Sequence, residues 1–334
     1  MKTGKKTFLG GSLTAAVVWI LVSGAALAAD PAADPLPSWN DGPTKQAILS
    51  FVKEATDKSS AKYIVPEDRI ATFDNDGTVW CEQPVVELVF TEARLKELAA
   101  KDPTLKDKQP FKAALEGDRE YFEKAGMKAV LELVVATHGN MSQNQFETEA
   151  RDFFKTAKQP KFGVPFAQTA FLPMVELLQY LRANGFQTWI CSGGWMDLMR
   201  MVTQEAYGIP SQQVIGSSLK EEWVEKDGKY VVWLLPELLS ICDHAGKPVD
   251  IDLHIGKRPV LAAGNVRTGG DIEMLRYCQS RKGPTFQLMV NHDDAVREFA
   301  YGEKNHESLD AAKKNGWTVV SIKDDWKRVF AFER

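Results

Sequence analysis

The sequence predicts an α/β protein: a Rossmann-like parallel sheet with a helical cap inserted after its first strand. Three observations lead there. Short apolar runs ending in Gly-, Asn- or Asp-rich turns alternate with helix patterns, as in parallel sheets covered on both faces. The first run, Ile70–Phe73, passes straight into Asp74-Asn75-Asp76-Gly77-Thr78. This puts two carboxylates at the C-terminal end of a strand, where open α/β sheets bind ligands. Between that run and the next lie about ninety residues of helical texture, too many for a crossover.

In chain order, Lys2, Lys5 and Lys6 make a basic start, Phe8 to Val22 is mostly apolar, and Ala26-Leu27-Ala28 is a small-x-small cleavage site. Residues 1–28 thus read as a secretory signal peptide. The apolar run approaches membrane-spanning length, but Gly10, Gly11, Ser12 and Gly24 with the Ala-x-Ala ending favour cleavage after Ala28. The expectation is a periplasmic or secreted protein with no stable membrane association after cleavage. Residues 29–42 form a polar, Pro-containing leader. Losing the signal removes three lysines and no acid, taking the net charge from −4 to −7, which argues against nucleic acid as a partner. The four cysteines, Cys81, Cys191, Cys242 and Cys278, match no zinc spacing. Export permits disulfides, and a bridge between Cys81 and Cys191 is one option, since each adjoins a site motif.

Pro43 to Asp57 has apolar residues at helical spacing, and Ile70–Phe73 is a buried strand. Pro84–Ala100, Phe111–Ala125, Met127–Thr137 and Gln143–Ala157 read as helices with no strand among them, giving a cap over 81–170. The core, 43–80 and 171–334, resumes with a helix over Pro173–Asn184, a strand over Phe186–Cys191 ending in Ser192-Gly193-Gly194, and a helix over Asp197–Tyr207. Lys226-Asp227-Gly228-Lys229 between two β-rich runs signals a hairpin, a small β-excursion near 214–249. Strands over Pro259–Ala263, Thr285–Val290 and Trp317–Ile322 alternate with helices over Asp271–Ser280 and Leu309–Asn315.

A carboxylate pair at a strand end can divide labour: one attacks a phosphorus centre, the other gives a proton to the leaving oxygen and later takes one from water. A hard divalent cation such as magnesium would offset the repulsion between carboxylate and phosphate. At Asp74-Asn75-Asp76-Gly77-Thr78 the chain resembles the haloacid dehalogenase-like phosphohydrolases, whose first motif is Asp-x-Asp-Gly-Thr. The cap, placed directly after this motif, resembles those of phosphoserine-phosphatase-like members. The resemblance makes Asp74 the nucleophile, forming an aspartyl-phosphate, and Asp76 the general acid and then base, with its backbone carbonyl facing the metal. Ser192 fits the second motif, and with Gly193 it would hold phosphoryl oxygens. Lys257, before the strand Pro259–Ala263, fits the third, an ammonium that neutralises the nucleophile. The fourth departs: Asn265 stands where an acid is usual, leaving Asp271 as the remaining acidic ligand, and the magnesium set is then Asp74, Asp76, Asn265 and Asp271. Asn265 can ligate through its amide oxygen, but without charge. Arg267, in the widened loop, is a candidate substrate contact. Asn291-His292-Asp293-Asp294 also follows a strand, and its lone histidine reads as structural.

What the resemblance implies is an exported, magnesium-dependent phosphomonoesterase acting on a small phosphorylated metabolite. A phosphoserine- or phosphorylcholine-type specificity, a phosphotransferase or mutase, and an idle ligand-binding fold are the rivals. Asp76 favours ester hydrolysis, since dehalogenases lack an acid there. Nothing in the cap sequence names the substrate or the oligomeric state.

Overall fold

The computed structural model describes Met1, residues 34–267 and residues 269–333. Apart from Met1, the expected signal peptide and the leader up to residue 33 lie outside them. No helix among the described residues is long and apolar enough to cross a membrane.

Among the described residues, eight strands form one sheet: β1 (Ile70–Phe73), β2 (Met141–Ser142), β3 (Gln187–Trp195), β4 (Val214–Lys226), β5 (Lys229–Ser240), β6 (Leu261–Asn265), β7 (Phe286–Asn291) and β8 (Thr318–Ser321). Their order is β2-β5-β4-β3-β1-β6-β7-β8. The run from β4 to β8 is parallel throughout, whereas β5 pairs antiparallel with β4 and with β2. The fold is the expected α/β, Rossmann-like architecture. β1 lies between β3 and β6 with its four residues all buried, and Phe73 sits level with Ile190 of β3 and Ala263 of β6.

Successive strand residues face opposite sides of the sheet, and both sides are covered. Ala71, Phe73, Ile190, Leu261, Ala263, Leu288 and Val290 point into one core with the helices Pro43–Thr56 and Leu172–Ala183. Cys191, Ala262 and Met289 point into the other, with the helices Gly246–Ile255, Ile272–Gln279 and Glu307–Asn315. Strands buried on both faces read as continuous apolar runs, which is why they are legible in the sequence.

Several elements differ from expectation. The hairpin is no small excursion: β4 and β5 have 13 and 12 residues and extend the main sheet. The first half of β4 is buried beside β3, and the second runs out into solvent. β2 lies within the supposedly strand-free helical stretch and pairs with β5, tying that stretch to the sheet. The single helix expected over 111–125 is two, Phe111–Glu116 and Arg119–Ala125, because Gly117 takes a left-handed conformation and Asp118 caps the second by accepting from the Tyr121 amide. The helix Gly246–Ile255 was not expected. Val249, Ile251, Leu253 and Ile255 alternate with polar residues, a strand-like period, yet Ile251 is buried while Val249 and Leu253 are exposed.

His138, at the end of the helix Met127–His138, is wholly buried against Phe90, Phe146 and Trp195. Burial pushes its pKa from 6.5 down to about 3. The neutral ring is therefore without penalty above pH 6.5. As the pH falls below 6.5 the unfolded chain gains the proton that the folded one refuses, and stability drops by about 1.4 kcal/mol per pH unit until pH 3. Urea titrations between pH 7 and 5 should show the stability of the native chain falling relative to that of His138→Phe by about 1.4 kcal/mol per pH unit.

Candidate active site

Three adjacent strands, β3, β1 and β6, end together, and the chemistry-bearing residues gather there. Asp74 follows β1 directly, its amide donating to the Ala263 carbonyl of β6 at 2.9 Å. Asp76 lies on the turn beyond, where Gly77 has φ 72°. Ser192 and Gly193 lie near the end of β3, and Asn265 closes β6. Asp74, Asp76, Ser192, Gly193, Asn265, Arg267 and Asp271 all line one cavity of about 240 Å³, together with Lys247, Glu82, Glu87 and Asp243. A larger hollow of about 580 Å³ between the helices of residues 88–133 shares none of these residues.

Lys257 is not among them. It is half-exposed on the outside, where its ammonium donates to Asp68 Oδ1 at 2.7 Å and to the Glu67 carbonyl at 3.0 Å. The ammonium beside Asp74 is Lys247, in the first turn of the helix Gly246–Ile255. Its Nζ lies 2.6 Å from Asp74 Oδ1 and also contacts Asp271 Oδ1, with all three side chains buried. Burial opposes its charge, but Asp271 and Asp74 outweigh that and hold its pKa well above the usual lysine value. The strand-like alternation around Lys247 hid the helix that delivers it, while proximity in sequence to the next strand favoured Lys257.

Asp76 Oδ1 accepts from the Trp80 indole N–H at 2.9 Å. Burial, then the neighbouring charges of Asp74 and Glu82, push its pKa up to about 7. Glu87, in the first turn of the helix Val86–Lys101, accepts from the Trp195 amide, and burial followed by Asp76 raises it to about 8. These two acids converge over Gly194, where a Cβ would lie 2.6 Å from Glu87 Oε1 and 3.2 Å from Asp76 Oδ2, so a side chain there would have to push the Glu87 carboxylate aside. In sequence Glu87 is indistinguishable from an ordinary acid at a helix start. Asp271 is raised to about 7 by burial and by Asp74, with Lys247 offsetting part of the shift. Its Oδ2 accepts from the Asn265 amide at 2.9 Å, an approach that requires Gly264, since a Cβ there would lie 2.4 Å from Asp271 Cβ. The Ser192 hydroxyl oxygen accepts from the Gly194 amide at 3.2 Å, leaving its own proton to donate. Arg267 lies at this cavity with its guanidinium paired to Glu82. His292 is buried, its Nε2 donating to the Gly77 carbonyl at 2.7 Å and its Nδ1 facing Glu298 at 3.1 Å, so it anchors the Asp76–Gly77 turn from behind.

Among the described residues no three His, Cys, Asp or Glu side chains form a metal-binding group. An amide and a carbonyl complete a different donor set. Asn265 Nδ2 lies 2.7 Å from the Asp76 carbonyl oxygen and 3.3 Å from Asp74 Oδ2, while its Oδ1 is buried with no hydrogen-bond partner. The two ends of a side-chain amide have nearly the same shape. With the amide turned over, the Asn265 oxygen joins the Asp74 carboxylate and the Asp76 carbonyl in an all-oxygen set. Such a set suits magnesium and would repel itself without a cation. The residues present therefore fit the ion.

A model of the haloacid dehalogenase-like hydrolase family matches residues 71–275. No curated protein matches the sequence significantly. Among solved structures, the chain is similar to a conserved protein of unknown function from Anaerococcus prevotii, at 14% identity over 83% of this chain and 91% of that one, with a TM-score of 0.53. It is also similar to a phosphoserine phosphohydrolase-like protein from Francisella tularensis, at 17% identity over 75% and 94%, with a TM-score of 0.39. A third is cytosolic 5'-nucleotidase IIIB bound to cytidine, at 13% identity over 84% and 86%, with a TM-score of 0.43. The first of these likenesses is one of fold.

Removing Lys247 leaves Asp74 and Asp271 buried without their shared cation. Lys247→Met should therefore cost about 3–5 kcal/mol in chemical denaturation. Lys257→Met, at an exposed pair, should cost less than about 1 kcal/mol.

Proposed function

We propose that this chain, which belongs to the haloacid dehalogenase-like hydrolase family, is an exported, magnesium-dependent phosphomonoesterase acting on a small phosphorylated substrate through an aspartyl-phosphate on Asp74. The observation that carries the reading is the division of labour between two neighbouring acids. Asp74 contacts the Lys247 ammonium at 2.6 Å, whereas Asp76 is buried and pushed up to about 7, poised to hold a proton near neutral pH. One group is set up to attack and the other to donate.

In this reading the Asp74 carboxylate attacks phosphorus, and Lys247 offsets the negative charge that gathers between nucleophile and phosphoryl group. Asp76 gives its proton to the departing ester oxygen and then takes one from the water that cleaves the acyl phosphate. The Ser192 hydroxyl, with the backbone at Gly193, binds a phosphoryl oxygen. Asp74, the Asp76 carbonyl and Asn265 would hold magnesium directly, with Asp271 as the adjacent acid. The ion supplies charge neutralisation on the phosphoryl oxygens. A neutral Asn265 in place of an acid implies weaker binding of the ion than a third carboxylate would give. Export is part of the proposal and is supported by the basic, apolar and Ala-x-Ala pattern of residues 1–28.

Phosphate release from an aryl phosphate tests the reading. Turnover should require magnesium and fall at least about a thousandfold in Asp74→Asn. Lys247→Ala should be comparably impaired, while Lys257→Ala should keep nearly full activity. No turnover with any divalent cation would overturn the reading. Because burial raises the Asp76 pKa, its proton is present below about pH 7 and lost above it. The kcat/KM for a poor leaving group should accordingly decline about tenfold per pH unit above that point. Asp76→Asn should abolish the limb.

A further inference from the structure

Two cysteines meet directly behind this cavity. The sulfurs of Cys191 and Cys242 lie 3.6 Å apart, and neither side chain has exposed surface. Cys191 precedes Ser192 in β3, and Cys242 stands in the turn between β5 and the helix that presents Lys247. Ile215, Ile251 and Ala262 pack in the same cluster, and the Lys247 carbonyl lies 3.8 Å from Cys191 Sγ. The two segments are already tied by Ser217, whose hydroxyl donates to the Gly193 carbonyl at 2.8 Å and accepts from the Cys242 amide at 3.1 Å. The other two thiols are engaged elsewhere: Cys81 lies 3.3 Å from Glu298, and Cys278 lies 3.3 Å from the Gln287 amide nitrogen. The Cys81–Cys191 option therefore gives way to a different pair, because Cys191 faces Cys242.

We propose that Cys191 and Cys242 are the site of a disulfide formed when the chain folds under oxidising conditions, joining the strand end that carries Ser192 to the turn that leads into Lys247. The sulfurs need approach by only about 1.5 Å to reach bonding distance. The oxidant is a disulfide, either of a thiol–disulfide oxidoreductase or of glutathione. One cysteine thiolate attacks it and expels a thiolate. The second cysteine thiolate then attacks the first cysteine's sulfur in the mixed disulfide, forming the Cys191–Cys242 bond and expelling the oxidant's other thiolate, and the two cysteine protons end on the two thiols released from the oxidant. The contact with the Cys191 sulfur, and then burial, disfavour the Cys242 thiolate in the folded chain. The bond accordingly forms before the core closes and afterwards resists reduction. It closes a loop containing both β4 and β5, thereby fixing the base of the hairpin.

The test is disulfide mapping, which needs no assay of activity and so stands or falls apart from the phosphatase reading. The reduced full chain is refolded in a glutathione redox buffer, free thiols are alkylated, and the unreduced protein is digested for mass spectrometry. The expected result is one linked pair of peptides holding Cys191 and Cys242, with Cys81 and Cys278 alkylated. The oxidised protein should melt several degrees above the reduced one, as closing a long loop implies. Cys191→Ala should abolish that difference and leave Cys242 alkylated. Four alkylated cysteines, or a bridge through Cys81 or Cys278, would overturn the proposal. Mapping chain produced in an oxidising compartment gives the same decision where refolding yields are poor or the variant does not fold.

Discussion

The site depends on one buried ammonium. Lys247 stands between Asp74 and Asp271 and lets two buried carboxylates lie side by side. Two bare carboxylates there would repel, and each would have to take up a proton or expose itself. With Lys247 in place, Asp74 is held at the end of β1 by the same charge that would later face an incoming phosphoryl group. Asn265 answers the remaining side of the problem. Its amide reaches Asp74 Oδ2 and the Asp76 carbonyl, so the oxygens that would hold a cation already face one another.

Around that pair the structure arranges acids of unequal proton affinity. Asp76 and Glu87 are pushed up chiefly by burial, then by their neighbours. They come from neighbouring but distinct elements: Asp76 from the turn after the central strand, Glu87 from the first turn of the helix Val86–Lys101 that follows it. They meet over Gly194, whose missing side chain gives them room. The turn bearing Asp76 is supported in turn by His292, which reaches across from the end of β7 to the Gly77 carbonyl. The acid that would act as proton donor is thus positioned by groups from three separate strand ends and one helix.

The hairpin β4–β5 extends the sheet beyond the three strand ends that carry the site. Its base lies beside Ser217, Cys242 and the turn into Lys247, so the segment that delivers the ammonium is anchored by the sheet edge itself. Through β5 the sheet also reaches β2 in the helical insertion. The insertion and the lysine are accordingly fastened to the same strand pair.

The sequence by itself determined the alternation of strands and helices, the strand ends at Asp74, Ser192 and Asn265, and the helical insertion after the first motif. These are encoded locally: a strand buried on both faces must be a continuous apolar run, and the turn that follows it must be built from Gly, Asn and Asp. Tertiary structure alone decided which lysine meets Asp74, which acid meets Asp76 and which cysteines meet each other. Lys247 lies in a helix whose apolar residues recur every second position, and Lys257 sits closer to the next strand, so spacing points to Lys257 and periodicity does not correct it. Glu87 and Cys242 are likewise ordinary in their own segments. Their roles arise from contacts between residues far apart in the chain, where burial and charge act through space and leave no local pattern to read.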